Sequence, residues 1–208
     1  MQYESINIHK KLTRITCTLI RFSTAVALMG WSVFSLAQGP LQPRQGDDLS
    51  GLHAFDLRAG CWIYHNHVLK ERLANNHDWF DYDSTQHLWI TMGGYGNFDD
   101  NEMHRPDGTY YGLTVRTYDP KTGTWSIWWY DGRNPGNVDP PVKGRFKDGV
   151  GTFFSDDTLR GKPIKVRFIW SGITATAAHW EQAFSGDGGK TWETNWIAEF
   201  SKIGCTAN

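Results

Sequence analysis

Three cysteines in 208 residues, with no Cys-x-x-Cys spacing, exclude a thiolate metal knuckle and a thioredoxin-like redox motif. No Gly-x-Ser-x-Gly elbow and no phosphate loop is found. Positive charge is not in excess either: 21 Lys+Arg stand against 22 Asp+Glu. That balance excludes the basic footprint of a nucleic-acid binder or a polybasic membrane patch. The apolar run Phe22–Phe34, "FSTAVALMGWSVF", is too short for a comfortable membrane span. Helical periodicity is also missing, since no segment after Gly60 has a convincing amphipathic pattern.

What is present begins with that apolar run. Lys10, Lys11, Arg14 and Arg21 precede it and Ser35-Leu36-Ala37 follows, the charged, apolar, small-residue order of a secretory signal peptide. Residues 1–37 are therefore expected to direct export, to the periplasm or beyond, with a retained N-terminal anchor as the alternative. No lipid-attachment cysteine follows the run. Residues 38–54, which include "QGPLQPRQGDDLS", have the Gly, Pro and charge content of a flexible leader. The stretch "GLHAFDL" reads as one short helical turn. Residues 55–208 suffice for one domain with a real core. Cys61 and Cys205, at the two ends of this domain, form an even pair that an oxidising compartment would join. Such a bridge closes a long loop, about 4–5 kcal/mol in the chain-entropy model. Two buried thiols are the alternative, and geometry decides between them.

Ten runs rich in aromatic and β-branched residues, from Cys61–Glu71 to Thr191–Ser201, alternate with "RPDGT", "DPKTGT", "KDGVG", "LRGKP" and "SGDGGK". These links are tight-turn chemistry. The expectation is an all-β, antiparallel, up-and-down barrel of about ten strands, because closure removes the exposed edges of a meander. In Ile164–Ser171, Val166, Phe168 and Trp170 oppose Lys165, Arg167 and Ile169. In the last run Trp192, Thr194, Trp196, Ala198 and Phe200 share one face, opposite Glu193, Asn195, Ile197 and Glu199. All of the 11 tryptophans except Trp31 lie beyond residue 37. In that number they fill a barrel or line a ligand surface.

Three motifs bear on chemistry. "SGDGGKTW", Ser185–Trp192, matches the Asp-box of sialidases and related propellers. A propeller needs several four-stranded blades, and no second full copy exists, so the motif reads as a hairpin device. "HNHVLKE", His65–Glu71, puts two imidazoles on one strand face at a spacing like the first metal motif of cupins. The spacing from Gly60 is one residue short, Asp78 replaces the closing glycine, and the second motif has no match. Glu181, in "HWEQ", is a candidate buried acid paired with Arg167 on the neighbouring strand.

The stretch "FDLRAGCW" brings a turn into Gly60-x-Trp62, which resembles the start of the first strand in lipocalins and other calycins. The lipocalin pattern also expects an Arg near the end of the barrel packed on that Trp. Here the last strand has none, and only Lys202 follows. The runs "GLTVRTYDPKTGTWSIWW", "DPPVKGRFKDGVGTFF", "VRFIW" and "HWEQAFSGDGGKTWETNW" resemble a bacterial family of lipocalin-like proteins of unknown function, over roughly Phe55 to Phe200. The resemblance implies a calycin-like barrel with an internal ligand site and brings no established reaction. A haem-binding relative in that superfamily uses a Gly-rich stretch after its first Trp and a late-strand His. This chain has neither, and no cofactor or metal is expected.

The leading functional expectation is a small, partly apolar ligand inside the barrel. The candidate lining residues are His65, His67, Arg116, Trp129, Arg167, Glu181 and Asn195. The arginines would hold a carboxylate or phosphate, Trp129 an apolar body, and Glu181 would orient an Arg or a hydroxyl. If Val166, Phe168 and Trp170 fill the interior, Arg167 is solvated instead. Two alternatives stay open. One is an isomerase, cyclase or hydrolase using Glu181 or a His65/His67 metal. The other is carbohydrate binding on Trp128 or Trp129.

Overall fold

Short links make neighbours in sequence neighbours in space. Asp148-Gly149 and Arg160-Gly161 place both of their residues at positive φ (51° and 78°, 51° and 76°). This is the two-residue hairpin turn whose twist matches the strands it joins. In the computed structural model, which describes residues 42–205, these and similar turns connect ten strands. They are β1 (Gly60–Leu69), β2 (Trp79–Thr91), β3 (Gly96–Arg105), β4 (Gly108–Asp119), β5 (Thr124–Asp131), β6 (Val142–Lys147), β7 (Val150–Leu159), β8 (Lys162–Ser171), β9 (Ala177–Ser185) and β10 (Glu193–Ile203). Each pairs antiparallel with the next. β1 also pairs with β10, from Cys61↔Ile203 to Val68↔Trp196, so the sheet closes into a barrel. The expected signal segment, 1–37, lies outside the described residues.

One end of the barrel is plugged by the chain that leads into β1. A single turn of 3-10 helix, Asp56–Arg58, follows Phe55. The Phe55 ring is buried edge-on against Trp125, Phe146 and Trp170, with Phe153 stacked beyond. Residues 48–54, assigned by composition to a leader, are part of this plug. Leu52 is buried, the Trp125 indole donates to the Gly51 carbonyl at 2.9 Å, and the Tyr118 hydroxyl donates to the Asp48 carbonyl at 2.8 Å. Their two leucines gain from meeting a ring cluster already present at that end.

The Gly60-x-Trp62 signature is explained here as well. The Trp62 indole donates to the Arg58 carbonyl at 2.8 Å, and the Arg58 guanidinium lies 4.4 Å from its ring centre. Lys202 brings a cation from β10, with Nζ 5.1 Å from the Trp62 ring and donating to the Leu57 and Ala59 carbonyls. A cation from the end of the barrel thus covers the tryptophan, although it is a lysine. Beside it, Cys61 and Cys205 are joined by a disulfide with Cα atoms 5.2 Å apart.

β10 breaks strict alternation. Its register against β9 shifts between Thr194 and Trp196, which leaves Asn195 as an extra, bulged residue. Asn195 and Trp196 therefore both turn inward. Asn195 is fully buried, accepting from Gln182 Nε2 at 2.8 Å, and Trp196 Nε1 donates to Asn66 Oδ1 at 2.8 Å. Trp192 sits on the outside, beneath Arg167 at 4.7 Å. The expected grouping of Trp192 with Trp196, and of Asn195 with Glu193, Ile197 and Glu199, is corrected by this bulge.

The ring of hydrogen bonds is thinnest between β5 and β6. Only Trp125↔Gly144, Ser126↔Lys143 and Ile127↔Val142 pair there, followed by one isolated bridge, Tyr130↔Val138.

The barrel cavity as candidate ligand site

Inward-facing positions differ in chemistry from one side of the barrel to the other. β1 to β4 turn Tyr64, Asn66, Gln86, Asn101, Thr114 and Arg116 inward beside Val68 and Met103, whereas β5 to β8 supply mainly Ile127, Val142, Ile164, Val166 and Phe168, with Ser155, Asp157 and Thr158 from β7. Between the two walls lies a cavity of about 350 Å³, with Trp129, Trp180 and Trp196 among its lining. Space for Trp129 depends on Gly112, since a Cβ there would sit 2.1 Å from the indole. A missing side chain on β4 thus lets the ring lie against the wall instead of across the cavity.

The polar wall is internally bonded. Asn101 Oδ1 accepts from the Tyr64 hydroxyl at 3.1 Å and from Gln86 Nε2 at 3.0 Å. Its amide donates to Asp99 Oδ1 at 2.6 Å and to the Gly112 carbonyl at 3.2 Å. Asp99 pairs in turn with Arg116, whose Nη1 also donates to Asn97 Oδ1 at 3.0 Å. Gln86 Oε1 accepts from Arg58. Among the described residues Asp99 is thus ion-paired with Arg116 alone, and Arg58 feels its charge only at a distance. Burial, and then repulsion by Arg116, pulls the Arg58 pKa down to about 9. Arg58 Nε and Nη1, Arg116 Nε and Asn97 Nδ2 have no protein acceptor. Burial also pushes the Tyr64 hydroxyl well above its ordinary pKa.

A second cluster surrounds the open end. Arg105, closing β3, forks onto Asp107 at 2.8 and 3.2 Å. Arg133, just past β5, forks onto Asp131 at 2.9 and 2.5 Å and lies 4.0 Å over the Tyr110 ring. Arg72, in the β1–β2 link, lies 5.3 Å from the Phe184 ring centre and 5.8 Å from that of Trp196. Burial raises the pKa of both Tyr82 and Tyr110. Asp139, from the same β5–β6 link as Arg133, and Asp157 of β7 also line the open end. Burial, followed by repulsion from Asp157 and Asp131, raises the Asp139 pKa.

Of the residues expected to line a site, the structure brings Arg116 and Trp129 to the cavity and buries Asn195 behind Gln182. His65, His67, Arg167 and Glu181 are on the outer face. His65 Nδ1 bonds Asp83 at 2.9 Å and His67 Nδ1 bonds Asp81 at 2.5 Å. These pairs arise because odd positions of β1 face the odd, acidic positions of β2. Glu181 is opposite Ile169 and Ile197, while Arg167 is opposite Ala183. Among the described residues no ion pair joins Glu181 to Arg167. Val166, Phe168 and Trp170 take the interior, the condition under which Arg167 was expected outside. The only His, Cys and acid groups close enough for a metal, among the described residues, are Cys61, His87 and Cys205, whose sulfurs are bonded to each other.

Sequence reasoning missed Arg72, Arg105, Arg133, Tyr82 and Tyr110. The tyrosines and Arg105 left a signal, each sharing strand parity with an inward residue two or four positions away. Arg72 and Arg133 lie in links, where alternation has no force.

No protein-family model matches the chain, and no curated protein matches it. Among solved structures it is similar to Rv2717c from M. tuberculosis, with a TM-score of 0.50 and 11% identity, over 73% of this chain and 96% of that one. It also overlays on the S-type phycobiliprotein lyase CPES from Guillardia theta, with a TM-score of 0.43 and 10% identity, over 73% and 92% of the two chains. The first likeness supports the calycin-type barrel that the sequence resemblance implied, and it is a likeness of fold.

Proposed function

We propose that this barrel binds a small, partly apolar molecule in its interior, and that the protein is exported to the periplasm or beyond. One observation carries the binding proposal: a cavity of about 350 Å³ with a hydrogen-bonding wall on one side and an apolar wall on the other. Barrels of this size either fill with side chains or hold one ligand, and here Gly112 keeps Trp129 from filling the space. Arg116 and Trp129 stay in the proposed site. The enzyme reading has no such support, because Glu181, His65 and His67 face away from the cavity. Export is supported by the residue order of 1–37 and by an oxidised cysteine pair.

Native mass spectrometry of protein purified from its own host tests the binding proposal. A co-purifying small molecule is expected, retained by the wild type and lost from Gly112→Ala, in which the displaced indole blocks the cavity. A ligand retained equally by the variant would overturn the cavity as its site.

A further inference from the structure

The three guanidiniums at the cavity mouth are not equally matched by acid. Arg105 and Arg133 each fork onto an aspartate two residues away. Arg72 has no carboxylate partner among the described residues, and its guanidinium faces the Phe184 and Trp196 rings. Partial burial pulls its pKa down, as expected for a cation partly removed from water without a counter-ion. The other two arginines, in turn, stand over the rings of Tyr82 and Tyr110, at 5.9 and 6.0 Å from Arg105 and 4.0 Å from Arg133 to Tyr110.

The stretch of the mouth beside Arg133 and along β7 has the reverse character. Asp139 and Asp157 line it without a basic partner among the described residues, and their charge turns an anion away from β6 and β7. Below Arg72 the cavity is apolar on the side of Phe184, Val166 and Ile164. A half-buried cation above an apolar shaft gains most from a molecule with one anionic end and a hydrocarbon remainder. A neutral hydrocarbon would leave Arg72 half-buried without a counter-charge, and a cation could not supply one.

Building on the proposal that the cavity takes a ligand, we infer that this ligand is an amphipathic anion. Its carboxylate or phosphate head is held by Arg72 at the mouth, and its apolar part lies inside the barrel.

The test is titration calorimetry with decanoate, decyl phosphate and 1-decanol, at low and moderate salt. The full-length wild type is compared with Arg72→Gln and Arg72→Lys. At least one anion is expected to bind about tenfold or more tightly than decanol, with the margin narrowing as salt rises. Arg72→Gln should abolish that margin, and Arg72→Lys should restore part of it. The tighter of decanoate and decyl phosphate names the head group. Equal affinity for decanol and both anions overturns the inference and leaves cavity binding intact. A margin that survives in Arg72→Gln overturns the assignment to Arg72. No binding by any of the three probes overturns the cavity reading on which the inference rests.

Discussion

Asp187 organises the β9–β10 turn by accepting from the Lys190 and Thr191 amides at 3.0 Å and from the Thr191 hydroxyl at 2.7 Å. Ser185 completes the loop, donating to Asp187 at 2.7 Å and accepting from the Gly189 amide at 2.8 Å. The Trp192 indole closes it on the Gly189 carbonyl at 3.1 Å. These bonds, those from the Thr191 amide and hydroxyl first, hold the carboxyl far below its ordinary pKa of 3.8. A depressed acid stabilises the fold above the unfolded-state pKa and loses that contribution as pH falls through 3.8 toward the folded value. Asp187→Asn is therefore expected to melt below the wild type at neutral pH, with the gap closing on acidification, as followed by circular dichroism. A constant gap down to about pH 2 would sink the linkage argument. Reading Ser185–Trp192 as a turn device needed only local chemistry, which is why it was legible. The inward turn of Asn195 was not, because it depends on a two-against-one count with β9 that no single strand encodes.

Strands announced themselves wherever turn residues and alternation agreed, as in β8, where Val166, Phe168 and Trp170 took the interior. The plug was harder to read. Its first half carries the Gly, Pro and acid content of a leader, and its burial comes from rings contributed by β4, β5, β6, β7 and β8. Phe55 is the anchor, 1% exposed. Truncating a buried Phe to Ala costs about 3–5 kcal/mol, a transfer loss plus a cavity. Phe55→Ala is expected to lose that much in urea denaturation, because the ring cluster it leaves belongs to four different strands and cannot collapse as one. A loss under about 1 kcal/mol would mean that the plug is dispensable to the barrel.

At the scale of the molecule, the disulfide ties the first strand to the last across a separation of 144 residues. Constraint of a loop that long is worth up to about 5 kcal/mol in the chain-entropy model. Cys205→Ser, or reductant, is expected to lower stability by about 2–5 kcal/mol in denaturant titration. The barrel itself should stay closed, since β1 and β10 remain paired over eight residue pairs. An unchanged midpoint under full reduction would show that the unfolded chain gains nothing from losing the tie. Barrel closure and the cysteine pair were visible in the sequence because both follow from counting. The charge division of the mouth was not, because Arg72, Arg133 and Asp139 come from links between strands. Their meeting is a product of closure.

The short β5–β6 contact has a mechanical consequence. Three residue pairs and one bridge hold that joint, against eight or more on either side of β1. A hoop yields where its stave joints are fewest, so girth can change there while the remaining pairings keep register. The joint borders Trp129, Asp139 and Val142, all of which line the cavity. The joint with fewest ties is thus also one that walls the cavity.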